Sequence, residues 1–326
     1  MILVTGGAGF IGSNVVAALC DRGVAVTVCD RLRANDKWRN LARHGFQELV
    51  HPDALPQWLT GRPRLDGVVH LGAISSTTER DADLIYDVNV RLSTLLWNWC
   101  ASHNTPLIYA SSAATYGAGV QGFDDDQRVE SLAGLRPLNA YGWSKHHFDR
   151  QVIRSIGAGH AAPPQWIGLK FFNVYGPNEY HKGSMQSVVA QKYDGVSAGR
   201  PVTLFASHHP DYPDGGQLRD FIYVEDCVDV IAWLLEHPAV NGIYNLGTGE
   251  ARSFADLARA MAAAAGVPSQ IEYAPMPELI RPNYQYYTQA RMQKLRDAGY
   301  DRAFTSLEDG VRRYVEGYLS RPDRYR

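Results

Sequence analysis

Hydrophobic positions along the first two-thirds of the chain come in short unbroken runs. Ile2–Thr5, Val24–Cys29, Gly67–Leu71, Leu107–Ala110 and Trp166–Phe171 read as strands covered on both faces. Between them, Phe10–Arg22, Tyr86–Ser102, Ala140–Ile156 and Ser184–Ala198 carry apolar residues at helical spacing. Strands alternating with helices predict a parallel sheet joined by right-handed crossovers. After about Phe172 the rhythm changes to loops such as Ala206–Gln217, and a smaller lobe is expected to start there. Within it Ser253–Ala265 has the spacing of a helix, entered from a strand end at Asn245–Gly249. The expectation is an α/β protein with a doubly wound parallel sheet in residues 1–172, rejoined by some later segments. A smaller α/β substrate lobe would lie mainly in residues 173–326. The cleft between them is where a ligand would bind.

The first strand breaks into glycines at Gly6, Gly7, Gly9 and Gly12, and a helix starts near Phe10. Gly7 and Gly9 allow a tight turn and close backbone approach, while Gly12 lets the helix lie against the strand. The free N–H groups of the helix start, around Phe10 and Ile11, suit a pyrophosphate. Asp30 ends the second strand 18 residues beyond Gly12, where a carboxylate can accept hydrogen bonds from a ribose. The pattern predicts a Rossmann-type dinucleotide site.

Composition narrows the classes. With 326 residues, 45% hydrophobic and 20% charged, the chain can bury a large core as one extended or two fused domains. A net charge of −2 gives no electrostatic reason to expect nucleic acid or an anionic membrane as partner. No apolar run approaches the roughly 20 residues that span a bilayer. The glycine strand begins at Met1 and leaves no room for a signal peptide, so a cytoplasmic location is expected. Cys20, Cys29, Cys100 and Cys227 are far apart and read as free thiols. His181, His208 and His209 lack ligand spacing, and no metal site is expected.

Tyr141 and Lys145 are four apart, which puts a phenol and an ammonium on one helix face. The lysine charge favours phenolate and can bring its pKa from about 10 toward neutrality. Tyr141 can then exchange a proton with a substrate hydroxyl while a hydride leaves the same carbon. The bland alternative is a solvated lysine beside a half-buried tyrosine. Ser111 and Ser112 follow Leu107–Ala110 at the ligand-binding edge of the sheet. A hydroxyl there can hold a substrate oxygen, or can merely cap the turn from Ala113, a role that suits Ser111.

Thr5–Gly12 (TGGAGFIG), Ser111–Gly117 (SSAATYG) and Tyr141–Lys145 together resemble the extended short-chain dehydrogenase/reductase superfamily. Ser75–Glu79, Phe172–Pro177, His181–Met185, Arg219–Val224 and Tyr284–Gln289 are similar to segments of the ADP-glyceromanno-heptose 6-epimerase family within it. The resemblance implies that Ser112 is the catalytic serine beside Tyr141 and Lys145. It also implies that Lys182 is a second acid/base group facing Tyr141 across the substrate. Ser75, Thr77, Glu79, Asn173, Lys182, Ser184, Arg219, Tyr284 and Tyr287 would then contact substrate, with Arg219 on the diphosphate. For each, ordinary packing or a surface role is the alternative reading.

The implied reaction is that of an isomerase: inversion of carbon 6 of ADP-D-glycero-D-manno-heptose to the L-glycero form through a 6-keto intermediate, for lipopolysaccharide core precursor. Another nucleotide-sugar epimerase, dehydratase or ketoreductase, such as an NAD-using 4-epimerase, is the alternative. A non-catalytic dinucleotide sensor is a third. Asp30 argues for NAD, whereas Arg31, Arg33 and Lys37 supply cations for a 2′-phosphate. The family resemblance favours NADP with Lys37 on that phosphate; NAD is kept open. Leu71 and Ile74 stand where many relatives have glutamate and cysteine, and the Ala118–Leu135 loop is longer. The resemblance also implies a homo-oligomer, with Tyr86–Ser102 and Ala140–Ile156 as candidate interface helices.

Overall fold

A computed structural model describes residues 1–61, 64–278, 281 and 284–326. Seven parallel strands form the main sheet: β1 (Ile2–Thr5), β2 (Val26–Cys29), β3 (Glu48–Val50), β4 (Gly67–His70), β5 (Leu107–Ser112), β6 (Trp166–Phe171) and β10 (Gly242–Leu246). Their order is β10-β6-β5-β4-β1-β2-β3, so the chain reverses direction of winding between β1 and β4. That reversal opens a crevice beyond the carboxyl ends of the strands. β1, β2 and β4 are buried at every residue, as their unbroken apolar runs require. Val4, Val28 and Val69 are fully inaccessible at the centre. Each such side chain contributes about 1.5–3 kcal/mol on burial.

The remaining strands build two small sheets beside the crevice. β7 (Asn173–Tyr175), β9 (Leu218–Tyr223) and β11 (Ala251–Ser253) form one, while β8 (Val202–Phe205) pairs with β12 (Ile271–Ala274). Helices Val188–Ser197, Phe254–Ala264 and Leu307–Tyr314 pack with them around Tyr175, Tyr223 and Met261.

Several expected boundaries move. β5 extends through Ser112, because Ser111 and Ser112 still pair with Lys170 and Phe171 of β6. The stretch predicted from Tyr86 starts at Ala82, where the Asp81 carboxylate accepts the Leu84 N–H, and continues to Ser102 through a wider turn at Asp87–Arg91. The stretch predicted from Ser184 becomes a tight turn, Tyr180–Met185, then a helix that starts at Val188 under a Ser187 cap. Gly183, at φ 56°, breaks the two apart. β3 was not anticipated, since its pattern is short and half polar.

Candidate active site

The glycine turn is built by exclusion. Gly6 takes φ +68°, and a Cβ there would sit 2.6 Å from the Gly72 nitrogen. The positive φ thus falls on Gly6 rather than on Gly7 or Gly9, whose φ stays negative. A Cβ on Gly12 would lie 2.1 Å from the Gly6 carbonyl oxygen, so the helix Phe10–Asp21 can touch the turn only with glycine there. No side chain caps this helix at Gly9. Its first N–H groups are therefore left for an anion, and Gly9, Phe10, Ile11 and Gly12 line the crevice.

At one end of the crevice Asp30 is nearly buried. Its carboxylate accepts the Ala8 N–H at 2.9 Å and the Arg31 N–H at 2.7 Å, and pairs with Lys37 Nζ at 2.6 Å. Lys37 and Asp30 both line the crevice. Arg31 turns away and pairs with Asp53 on the exposed side.

At the other end stands the helix Ala140–Gly157, capped by the Asn139 side chain, which accepts the Gly142 N–H at 2.8 Å. Tyr141 and Lys145 lie on one face, and both line the crevice with Ser75, Ser111 and Ser112. Burial holds Lys145 down at about 8, with Asp149 pulling it back up. The phenol behaves against expectation: burial pushes Tyr141 above its ordinary value, and the Ser112 hydroxyl only partly opposes this. Desolvation therefore governs the phenol. Only the capping role moves between the two serines, while Ser112 stays beside the Tyr141 phenol. Ser112 caps the turn by accepting the Ala114 N–H at 3.1 Å, whereas Ser111 donates to Asp149 at 2.7 Å.

Beneath this face lies a layer that sequence reading missed. Asp149, fully buried, receives Lys170 Nζ at 2.7 Å, Ser111 and, at 3.1 Å, the Tyr109 hydroxyl. Lys170 also donates to Thr115 at 2.8 Å. A second chain runs from the glycine turn. The Gly72 N–H reaches the Thr5 hydroxyl, which lies 2.6 Å from His70, and the other ring nitrogen of His70 lies 2.8 Å from Ser93. Asn89 then ties Ile74 to Ser144, whose hydroxyl donates to the Tyr141 carbonyl at 2.7 Å. Burial pushes His70 down to about 3, so it is neutral. Two signals were available: Lys170 is a charge inside an apolar strand, and Asp149 follows Lys145 at the same spacing that joins Lys145 to Tyr141.

Lys182 comes from the Tyr180–Met185 turn and lines the same crevice as Tyr141. Its ammonium lies 5.2 Å from the Phe10 ring centroid. Burial lowers its pKa, while Glu179 raises it. Asn40 donates to the carbonyls of Ala8 and Asn178 at 2.9 and 3.1 Å, joining this segment to the glycine turn.

The other expected contacts are spread out. Ser75 is exposed at the crevice wall, and Thr77 is exposed beyond it. Glu79 accepts the N–H groups of Arg80 and Asp81 at 2.8 and 3.0 Å. Asn173 and Ser184 are exposed. Arg219, buried in β9, lies 5.1 Å from the Tyr284 ring centroid and 5.6 Å from that of Phe254. It donates to the carbonyls of Leu218 and Gln285. Tyr287 is exposed, with its ring 6.0 Å from Phe123 and its hydroxyl on Gln289. Arg31, Thr77, Glu79, Asn173, Ser184, Arg219, Tyr284 and Tyr287 do not line the crevice that holds Tyr141 and Lys182.

Residues 2–247 match the NAD dependent epimerase/dehydratase family. The chain belongs to that family. A relative from Nitratidesulfovibrio vulgaris (strain DP4), named ADP-L-glycero-D-manno-heptose-6-epimerase, is 48% identical over 99% of both chains. The crystal structure of the Helicobacter pylori ADP-L-glycero-D-manno-heptose-6-epimerase superposes with a TM-score of 0.79 at 28% identity, covering 97% of this chain and 95% of that one. Thermus thermophilus UDP-glucose 4-epimerase in complex with NAD gives 0.74 at 30% identity, over 97% of each. Membership of this epimerase/dehydratase family implies a nicotinamide dinucleotide. The donor set fits one: an uncapped helix start, glycines where a Cβ would close the turn, and a polar pair at Asp30 and Lys37.

Proposed function

We propose that this chain is an NADP-dependent epimerase that inverts carbon 6 of ADP-D-glycero-D-manno-heptose to the L-glycero form, supplying lipopolysaccharide core precursor. The observation that carries this reading is that Tyr141 and Lys182 line one crevice together with the uncapped helix start. A nicotinamide dinucleotide with its pyrophosphate held along Gly6, Gly9, Phe10, Ile11 and Gly12 would supply hydride exchange at that carbon.

The chain's own task is proton handling. An alcohol that becomes a ketone must release its hydroxyl proton, and the ketone must regain one once its other face is presented. One group cannot serve both orientations well, so two are needed on opposite sides. Tyr141 serves one side, with Ser112 steadying the oxygen and Lys145 supporting charge changes on the phenol. Lys182 serves the other. Burial loosens its proton, which eases donation from this amine, while Glu179 opposes the shift. Arg219 would meet the diphosphate, with Tyr284 and Tyr287 beside the sugar and Ser75, Thr77, Glu79, Asn173 and Ser184 at its rim.

NADP is favoured over NAD because Lys37, paired with Asp30, offsets the carboxylate's repulsion of a 2′-phosphate and sets an ammonium beside it. NAD would instead use Asp30 on the ribose, with the Lys37 pair opened. Trp143, exposed beside Tyr86 at 6.1 Å and His147 at 5.4 Å, supports self-association through this helix face. Incubating purified protein with NADP and the D-glycero compound, followed by proton NMR, should give the L-glycero epimer. Folded protein that leaves the compound unchanged would overturn the reading.

A further inference from the structure

Glu179 is a carboxylate with no access to solvent, and nothing in the reaction as described above uses it. It stands at the start of the Tyr180–Met185 turn, three residues before Lys182. Its oxygens accept the Gly176 N–H at 3.3 Å, the Ser187 hydroxyl at 2.7 Å and the Ser187 N–H. Gly176 enters the segment and Ser187 leaves it. One buried group therefore clasps both ends of the stretch that presents the lysine, and the Glu179 carbonyl also accepts the Lys182 N–H at 3.0 Å. Ser187 in turn caps the helix Val188–Ser197 by accepting the Ala190 N–H at 3.3 Å. The clasp is thus anchored in a regular element.

A neutral side chain could have closed the same segment without the cost of burying a charge. On the basis of the proposed role of Lys182, we infer that Glu179 is a positioning residue that clasps the lysine's turn and supplies the counter-charge for its ammonium. The surroundings leave few other candidates. His181 and Glu179 lie on the lysine's own segment, Lys37 and Asp30 approach from the glycine-turn side, and Tyr141 stands in the same crevice. Tyr180 and Tyr314 flank Glu179. His181 is pushed down to about 4 by burial and by Lys37 and Lys182, so it is neutral, and an imidazole offers no counter-charge to an ammonium in any case. Asp30 is committed to Lys37. Glu179 is left as the carboxylate on the lysine's own segment, tied to it through the backbone, and its charge favours the ammonium through space rather than by a direct ion pair.

The arrangement has a counterpart at the other amine that lines the crevice. Lys145 has Asp149 behind it, also buried and held by neighbours with no part in proton transfer. Each amine of the site has a carboxylate on its own segment, out of reach of solvent.

Glu179→Gln keeps the shape and one acceptor oxygen while removing the charge. The limb of the kcat/KM pH profile that belongs to Lys182 should move about one unit toward acid, whichever direction of epimerisation is followed. At a pH above that limb's new position in the direction that needs the ammonium, kcat should fall roughly tenfold, with KM changing less than about twofold. Glu179→Asp should restore most of the profile. Lys182→Ala, run alongside, tests the underlying reading separately. If Lys182→Ala keeps its activity, the role of Lys182 fails. If it is inactive while Glu179→Gln remains folded by circular dichroism with an unmoved profile, the counter-charge role alone is overturned. Should Glu179→Gln fail to fold, Ser187→Ala, which removes a hydrogen bond that favours the Glu179 carboxylate, should move the same limb toward acid by less than the full unit, and an unmoved limb in that folded variant would overturn the inference.

Discussion

The two flanks of the crevice present similar groups by different means. Tyr141 and Lys145 ride on an 18-residue helix whose buried face is locked to β5 and β6 through Asp149 and Lys170. Lys182 rides on a six-residue turn broken by Gly183, and its neighbours Gly183 and Ser184 are exposed. The first flank gains its precision from the core and inherits the core's stability. The second gains it from a clasp at its ends, which holds direction but can yield. Such a split suits a site in which a substrate must turn over between two chemical groups, because one wall can stay fixed while the other adjusts.

Removing the two proposed acid/base groups should have the largest effect. Tyr141→Phe should lower turnover by about 10³-fold and Lys182→Ala by about 10²-fold, with both variants folded and still binding cofactor, as read by NMR of the product and by fluorescence titration. Comparable melting temperatures would accompany these losses. A Tyr141→Phe enzyme at full turnover would end the comparison.

Breaking the scaffolds should separate the flanks by stability. Asp149→Asn leaves the Lys170 ammonium buried without its counter-ion, and about 3–5 kcal/mol should be lost in denaturant unfolding. Ser184→Ala, on the exposed turn, should change stability by less than about 0.5 kcal/mol.

Both flanks should be acid-sensitive, since His181 on the turn is held down to about 4 as well. His70 is neutral in the fold at about 3, against an ordinary 6.5. Between those values the unfolded chain binds a proton that the folded chain refuses, so stability falls as pH drops through this window. The slope attributable to this one group is about 1.4 kcal/mol per pH unit. His70→Asn should flatten the unfolding free energy between pH 6.5 and 4.5 by that amount; an unchanged slope would mean that His70 is not the group responsible.

The smallest effect concerns the cations at the far end. Lys37→Ala should weaken NADP about tenfold while affecting NAD less, measured by calorimetric titration. Arg31→Ala should change either by less than about threefold, because its guanidinium faces Asp53 in solvent. Equal effects on the two dinucleotides would favour NAD as the natural cofactor.

Much of this was open to reading from residues. The glycine turn, Asp30 at the end of the second strand, and Tyr141 with Lys145 all follow from local rules: what backbone a glycine permits, where an unbroken apolar run ends, which residues share a helix face. Ser111 and Ser112 show the limit. Both sit at the strand edge, but which one caps the turn and which one feeds Asp149 depends on alternation along β5 against a helix far away in sequence.

What the linear chain determined by itself was therefore the set of short-range constraints: parallel strands, the phosphate-binding turn, and the pairing of phenol and amine at helical spacing. Tertiary structure alone decided the rest. It set the sign of the shift on Tyr141, because desolvation depends on everything packed around a side chain. It brought Lys182 into the crevice of Tyr141, 41 residues away in sequence, and buried Glu179 behind it. Burial and charge act through space, and the chain reveals them only once its distant segments meet.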